Sequence, residues 1–317
     1  MHADTVGKLY LRQLTLTPEL PDFAADKLEL GWLIHWSFVD FYAAETINSK
    51  PIYGLTARLS SPEDPKTFKN AHLLRELVKR DFHARFSGSV LGILWAVLQP
   101  LSLVILYWFV FTYMFSRGPA AENRHYIEFL IAGLLPWLGL NEGIVRSTTS
   151  IVDNAPMVRR LAFRSELLIL VPHTTALIFE SIGLGLFGGF LLIRGFTLPF
   201  LWLLPFALLL QFALQVGLGW FLAASFVFFR DLVPILGFVL SVLFYLSPIL
   251  YPVTGRFERF FVWNPMTPLV GLFRSAMLSA ALPSASSIVF LLAVAAATFT
   301  GGLLFFRRAQ GTLADLI

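Results

Sequence analysis

An all-α integral membrane fold is predicted, because long uncharged segments recur along a chain that carries few charges overall. Of the 317 residues, 56% are hydrophobic and 14% are charged, whereas a soluble domain carries about 25% charged residues. A helix needs about 20 consecutive apolar residues to cross the hydrocarbon core of a bilayer. Residues 87–116, 195–229 and 285–306 are free of charged side chains over 30, 35 and 22 positions. Each of these segments is long enough to cross.

Six transmembrane helices are predicted in total, four of them in uncharged segments. The second span must include Glu128 or Glu142, and the third contains His173 and Glu180. The six spans are placed near residues 90–116, 127–149, 166–193, 199–228, 232–250 and 285–306.

The distribution of basic residues predicts the orientation of these helices, since cytoplasmic loops carry an excess of Lys and Arg. When the segment before the first span is placed in the cytoplasm, eleven basic residues near the span ends lie inside and six lie outside. The prediction is a multi-pass plasma-membrane protein whose N- and C-termini are both cytoplasmic.

Two segments outside the spans are predicted to contact the membrane. Residues 71–87 repeat apolar side chains such as Leu74 and Leu77 at helical spacing, with charged residues between them. This pattern indicates an amphipathic interface helix before the first span. Residues 269–282, before the sixth span, are apolar apart from Arg274 but too short to cross. They predict a re-entrant outer segment, with a partly exposed outer loop as the alternative.

The first 70 residues do not follow the membrane pattern. They carry nine acidic and seven basic side chains and contain no long uncharged segment. Residues 1–70 are therefore assigned as an N-terminal extension of unknown role, and residues 71–317 as the membrane domain.

A short cytoplasmic helix is predicted between the second and third spans. Asp153 or Asn154 is suited to cap its N-terminus, and Pro156 is suited to its first turn. An apolar knob and two arginines follow, formed by Met157, Val158, Arg159 and Arg160. From the pattern alone, this segment is interpreted as a capped cytoplasmic loop helix.

Two groups of side chains inside the spans are candidates for contact with a substrate. His173 and Glu180 are seven residues apart on one helix face. They are interpreted as a proton-coupling pair, a polar wall for the hydroxyls of a substrate, or a buried pair that holds helices together. Aromatic rings in the first span would suit a substrate with apolar ring faces and predict a canal, unless they only pack between helices. These rings belong to Tyr107, Trp108, Phe111 and Phe115.

Several kinds of site are excluded by the sequence. The chain has no cysteine, which excludes disulfides and thiolate metal sites. It also lacks the glycine-rich phosphate loop of ATPases, so ATP has to bind to another subunit. Residues 183–188 match a dinucleotide-binding pattern by letters but lie within a predicted span. The spacing of Gly185 and Gly189 instead predicts a surface for close helix packing.

The start of the membrane domain has a distinctive order of motifs. An Arg80–Asp81 pair precedes the sequence Phe-Ser-Gly-Ser-Val-Leu-Gly at 86–92, and Trp95 precedes Pro100 in the first span. This order resembles the transmembrane subunits of polysaccharide-export ABC transporters, which export O-antigen, capsule or teichoic acid. The turn around Arg230 and Asp231 resembles the second cytoplasmic turn of that family.

The resemblance implies a role for these motifs in coupling to an ATPase. The residues implied are Arg75, Arg80, Asp81, Asp153, Asn154, Pro156, Met157, Val158, Arg159, Arg160, Arg230 and Asp231. The implied assembly is a homodimer with two copies of a nucleotide-binding subunit, in a bacterial plasma membrane. ATP and magnesium would bind that partner, and this chain would hold no cofactor or metal and catalyse no covalent reaction.

The cargo implied by the resemblance is a lipid-linked polysaccharide or polyol-phosphate polymer that moves outward from the cytoplasm. Two other functions share parts of this pattern. A permease for a small drug or lipid would have the same topology without a reason for the aromatic cluster. A membrane-embedded glycosyl- or acyltransferase would place several carboxylates or histidines at one membrane face, whereas the acidic residues of this chain are scattered.

Overall fold

Helices form all the regular secondary structure in the part of the chain that the computed structural model describes. This part comprises residues 66–109 except 88 and 90, together with 125–160, 165–252 and 261–316. It contains no strand. The all-α prediction is therefore confirmed for these ranges, and most of the predicted N-terminal extension lies outside them.

Nine α-helices are present in the described ranges. They are α1 Lys66–Phe86, α2 Trp95–Phe109, α3 Tyr126–Asp153, α4 Ala155–Arg160, α5 Glu166–Ile193, α6 Leu204–Phe228, α7 Leu232–Tyr245, α8 Met266–Leu278 and α9 Ala285–Leu316. Short 3₁₀ turns precede α2 at Gly92–Leu94 and α6 at Leu201–Leu203.

Four of these helices are long and apolar enough to cross a membrane. They are α3, α5, α6 with its preceding turn, and α9. Each coincides with a predicted span, and α5 begins and ends at the residues expected, 166 and 193. A helix of 28 residues is about 42 Å long, which exceeds the hydrocarbon thickness of about 30 Å.

The fifth predicted span is shorter than expected. A helix was predicted over 232–250, but α7 ends at Tyr245 after 14 residues. The backbone turns over the next four positions, where Ile249 donates to the carbonyl of Ser247 at 2.7 Å. Pro248 lies in this turn and disfavours a helical conformation at the residue before it. The first span is described only as far as Phe109, where α2 ends.

Helix α3 lies at the centre of the bundle, with α5 and α6 packed along it. Its residues Ile131 and Leu135 share an apolar core with Leu184 and Phe187 of α5 and Leu214 of α6. Lipid chains are as apolar as leucine, so association inside a membrane depends on close van der Waals packing. The charge content of α3 is consistent with this central position, since the protein surrounds its polar side chains.

Glycines allow the closest helix contacts. The Gly302 Cα of α9 faces the backbone of Gly217 on α6, and a Cβ at Gly217 would meet the backbone of Thr298. The predicted packing surface at Gly185 and Gly189 is not used in this way. Both residues are exposed, and nothing lies within 4 Å of a Cβ placed on either.

A helix is present where the interface helix is predicted, but it begins earlier than expected. Helix α1 starts at Lys66, so the expected domain boundary at 70/71 falls inside a continuous helix. Leu77 and Val78 are buried, whereas Arg75 and Lys79 are exposed. The buried face joins a second apolar cluster that also includes Ile151, Met157, Trp220 and Phe306.

The short segment before α9 is a buried helix. In α8, Leu269, Val270 and Phe273 have no measurable exposure. The alternative of a partly exposed loop is therefore wrong for Met266–Leu278. Arg274 extends across to α3, where its guanidinium lies 3.4 Å from the centroid of the Phe129 ring. It also donates to the carbonyls of Ile249 at 2.9 Å and Phe129 at 3.2 Å.

Substitution of Gly217 tests the contact between α6 and α9. Gly217→Ala is expected to lower the free energy of unfolding by about 1–3 kcal/mol or more, the usual cost of overpacking. The new methyl group would meet backbone atoms, which cannot move aside as a flexible side chain does. The measurement is thermal unfolding of the purified protein in detergent.

The matched control is Gly237→Ala on α7, where nothing lies within 4 Å of the added Cβ. This variant should unfold at the wild-type temperature or slightly above it, because alanine favours a helix by about 1 kcal/mol over glycine. Equal unfolding temperatures for the two variants would contradict the assigned packing.

Candidate functional site

Aromatic rings hold the interface helix against the bundle. Phe82 of α1 stacks on Phe179 of α5 with ring centroids 5.1 Å apart and an interplanar angle of 7°. Phe86 meets the same ring edge-on at 5.6 Å. These three rings form the apolar part of the contact between the end of α1 and α5.

A chain of four charged side chains lies beside these rings. Arg146 of α3 donates to Asp81 of α1 at 2.7 Å and lies 3.5 Å from Glu142, one turn earlier on α3. Glu142 in turn pairs with Arg85 of α1. The order Asp81, Arg146, Glu142, Arg85 alternates in sign and joins α1 to α3 twice.

Arg85 connects this charge chain to two further helices. Its guanidinium lies 4.3 Å from the centroid of the Phe179 ring on α5 and donates to the Gln99 side chain on α2 at 3.3 Å. The side chains of Arg85 and Glu142 are only 8% and 7% exposed. Removing one member of such a buried pair costs about 3–5 kcal/mol, because the remaining charge is left in a poorly solvated place.

Arg80 lies next to this chain on α1. Partial burial lowers the pKa of its guanidinium, and the adjacent Asp81 carboxylate opposes that shift. An arginine remains protonated at neutral pH despite such a shift. The end of α1 therefore keeps its positive charge.

The predicted loop helix is present as α4, and Pro156 lies in its first turn as expected. The backbone carbonyl of Asn154 accepts from Met157 and Val158 at 2.9 and 3.1 Å. The side chain of Asn154 instead donates to the carbonyl of Ser150 at 2.8 Å, and Asp153 is hydrogen-bonded to Thr149. Both side chains bond to residues near the end of α3. The prediction that one of them caps α4 is therefore wrong.

Met157, predicted as part of an apolar knob on α4, is buried within this chain. Its side chain is 8% exposed and packs in the cluster that contains Leu77 of α1 and Trp220 of α6. Val158 is half-buried against the same cluster. This chain itself supplies the apolar contacts of Met157 and Val158, from a cluster that includes side chains of α1 and α6.

The other predicted coupling residues are distributed over the same end of the bundle. Arg230 and Asp231 are exposed in the turn between α6 and α7, and the Arg230 guanidinium lies 5.2 Å from the centroid of the Phe226 ring. The side chains of Arg159 and Arg160 lie outside the described residues. The role of all these positions in coupling stays a prediction.

His173 and Glu180 lie inside the bundle, where they contact different partners. The Glu180 carboxylate accepts from Gln211 of α6 at 2.6 Å, and the same amide donates to the carbonyl of Pro136 at 3.1 Å. The His173 ring lies between Gly143 of α3 and Gly219 of α6. His173 and Glu180 are therefore not bonded to each other, and both lie buried between helices.

A polar seam runs through the bundle where these residues meet α3. On α3 the seam consists of small residues four apart, Gly139, Gly143 and Ser147, which leave room for side chains from α5 and α6. His173 and Glu180 are 0% and 4% exposed in it, so neither lines an open wall in this conformation. Within the described residues, the His173 ring nitrogens and the Gln215 amide have no hydrogen-bond partner.

The predicted aromatic canal lies outside the described side chains. The backbone of Tyr107 and Trp108 belongs to α2, but their side chains are not described, nor are Phe111 and Phe115. Their role stays a prediction. In the described ranges, no group of three or more His, Asp or Glu side chains is placed to hold a metal ion.

Comparison with known proteins identifies the family. Residues 72–278 match the family described as ABC-2 type transporter. The chain belongs to this family. The matched range begins in α1 and ends with α8, so it contains the charge chain, α4 and the polar seam. This ABC-2 type protein is therefore a multi-pass membrane transport protein.

Three relatives of this ABC-2 type protein are named as polysaccharide transport proteins. The O-antigen export system permease protein RfbA of Klebsiella pneumoniae is 24% identical over 215 residues, which cover 66% of this chain and 82% of that protein. RfbA of Myxococcus xanthus is 26% identical over 232 residues, covering 70% and 86%. The polysialic acid transport protein KpsM of Escherichia coli is 22% identical over 245 residues, covering 74% and 92%.

Sequence reasoning missed the charge chain of this ABC-2 type protein. Glu142 was noted only as an acidic residue within a span, and Arg85 was counted only among the basic residues near the span ends. One indication was available, because an acidic side chain in a membrane helix requires a basic partner nearby. Several arginines could have supplied that partner, and only the packing of α1 against α3 selects Arg85 and Arg146.

Substitution of Met157 tests its burial beneath α1. Met157→Asp is expected to reduce the amount of folded protein in the membrane strongly, because a carboxylate would enter an apolar cluster without a partner. Met157→Leu keeps the volume and should cost less than about 1.5 kcal/mol. The measurement is the monodisperse yield after detergent extraction. Normal yield of Met157→Asp would restore Met157 as an exposed docking residue.

Proposed function

We propose that this chain is the membrane subunit of an ATP-driven exporter that moves a lipid-linked polysaccharide or polyol-phosphate polymer outward across a bacterial plasma membrane. The observation that carries this proposal is the alignment with three transport proteins named for O-antigen or polysialic acid. Those alignments cover 66–74% of this chain and 82–92% of each relative. In a Gram-negative organism the membrane is the inner one.

The distribution of charge supports a cytoplasmic docking surface at one end of the bundle. The ends of α3, α6 and α9 and the start of α5 meet there, and Arg307 of α9 pairs with Glu166 of α5 at 2.7 Å. Exposed basic side chains such as Arg75 and Arg230 lie at this end. A nucleotide-binding subunit carrying ATP and magnesium would contact this surface, and two copies of each subunit would form the exporter.

The proposed topology has six spans. Besides the four long helices, α2 and α7 would cross together with adjoining residues, and α8 would enter the membrane from outside without crossing. An even number of spans places both termini on one side. The arginine-rich end of the bundle favours the cytoplasm for that side.

Cysteine labelling tests this topology without a background signal, because the chain has no cysteine. Thr312→Cys lies at an exposed position of α9. It should resist a membrane-impermeant maleimide in intact cells and react after the cells are opened. Leu282→Cys, exposed before α9, is the matched control and should react in intact cells. The opposite pattern would invert the topology.

The cargo is tested by deletion and complementation in the native organism. Loss of the gene should abolish surface polymer and leave lipid-linked polymer inside the cell, and the wild-type gene should restore export. Normal surface polymer in the deletion strain would contradict the proposal and favour a small-solute permease. Loss of polymer synthesis itself, with no polymer inside, would favour a membrane-embedded transferase.

Substitution of aromatic residues in the first span distinguishes polymer export from small-solute export. The double variant Trp108→Ala, Phe111→Ala should lower surface polymer while the assembled complex stays at its normal amount, because a sliding surface for sugar rings is lost. Polymer and complex must be measured in the same cells. A parallel loss of both would assign the rings to packing, and normal polymer would remove them from the proposed conduit.

A further inference from the structure

The charge chain between α1 and α3 is more ordered than is needed only to hold the two helices together. Its members alternate in sign across the contact between α1 and α3, so each charge of one helix meets an opposite charge of the other. Arg146 lies 2.7 Å from Asp81 and 3.5 Å from Glu142. Arg85 completes the order by pairing with Glu142. Rotation of α1 about its axis would break both links.

Burial differs between the two ends of the charge chain. Arg85 and Glu142 are 8% and 7% exposed, whereas Arg146 and Asp81 are 25% and 24% exposed. Water screens a pair of charges less as it is buried more deeply. The Arg85–Glu142 pair is therefore the fixed point, and the Asp81–Arg146 pair is the part nearer to solvent.

The remaining contacts of α1 do not define its rotation as tightly. The apolar face of α1 packs through Leu77 and Val78, and the rings of Phe82 and Phe86 pack on Phe179. Apolar packing is non-directional and tolerates small rotations. Ion pairs with hydrogen-bond geometry tolerate them poorly.

We propose that Asp81, Arg146, Glu142 and Arg85 form a rigid link that sets the position of the interface helix and carries its displacement into α3. The four are positioning residues, since none has to touch the cargo or the nucleotide. This inference rests on the proposed function, in which a nucleotide-binding partner pushes on α1. Helix α3 is the central helix of the bundle and contains the small-residue face of the polar seam. Movement received at Glu142 therefore reaches the contacts of His173 and Glu180.

The first test compares two charge-neutralising variants in the complete exporter. Glu142→Gln keeps the shape of the side chain but removes its charge from the link. Glu128→Gln is the matched control, because it removes the ion pair of the buried Glu128 with Arg194 at the opposite end of α3. The measurements are the amount of complex, the rate of ATP hydrolysis and the surface polymer.

Export per ATP hydrolysed should fall at least about fivefold in Glu142→Gln, the lower end of typical coupling between two sites. The same ratio should stay at the wild-type value in Glu128→Gln. An unchanged ratio in Glu142→Gln would overturn the inference. Absence of export by the wild-type complex would instead contradict the proposed function.

A variant with all four charges reversed covers the case in which Glu142→Gln does not fold. The combined substitution Asp81→Arg, Arg146→Glu, Glu142→Arg and Arg85→Glu reverses every charge and keeps the alternation of sign. It should give more complex than Glu142→Gln and a ratio within about twofold of wild type, as expected when the pairing itself carries the effect. If the reversed link assembles but fails to couple, pairing is not the cause.

The position of α1 is measured independently of the cargo. Spin labels at Lys79→Cys on α1 and Ser181→Cys on α5 occupy exposed positions in a chain that has no native cysteine. The distance distribution should be narrow with the link intact and should broaden when Glu142→Gln is added. It should stay narrow when Glu128→Gln is added. A narrow distribution in all three proteins would overturn the link, whatever substance the exporter carries.

Discussion

Burial of the Glu142 carboxylate is the constraint on which the contact between α1 and the bundle depends. A charged side chain in the interior of a membrane bundle is tolerated only with a close partner. That partner is Arg85, which belongs to a helix outside the main bundle. The requirement therefore fixes α1 against α3, and Arg85 extends the same contact to Phe179 of α5 and Gln99 of α2.

The same principle operates at the opposite end of α3 with a different partner. Arg274 of α8 is 7% exposed, and it is stabilised by backbone carbonyls and by the face of the Phe129 ring rather than by a carboxylate. Nearby, Tyr126 donates to the carbonyl of Leu250 at 2.6 Å. The central helix is thus held at both ends by polar contacts to short segments. Between them, small residues admit the polar side chains of α5 and α6.

The position of most long helices could be predicted because length and charge decide it. A run of about 20 apolar residues has few stable conformations other than a spanning helix. This is why the bounds of α5 agreed with prediction and those of α3 differed by only a few residues. The start of α1 was predicted poorly because a polar helix on a protein surface has no such constraint. The end of α7 was predicted from the absence of charge, which gives no indication of the turn at Pro248.

Site residues were predicted less well, because their surroundings come from distant parts of the chain. Met157 was expected to seat in a partner ATPase, but it is buried in a cluster of this chain that includes Leu77 of α1 and Trp220 of α6. His173 and Glu180 were correctly placed on one helix, yet their partners come from α3 and α6. Helical periodicity indicates which residues share a face and does not indicate what that face meets.

By itself, the sequence determined that this is a helical membrane protein, which segments form its long helices, and which family it resembles. These conclusions depend on local hydrophobicity and on motif order, both of which can be read along the chain. The tertiary structure alone decided that Glu142 pairs with Arg85, that Met157 is buried, and that the polar side chains form a seam. The reason is that a buried charge is satisfied by proximity in space, and several arginines were equally available in the sequence.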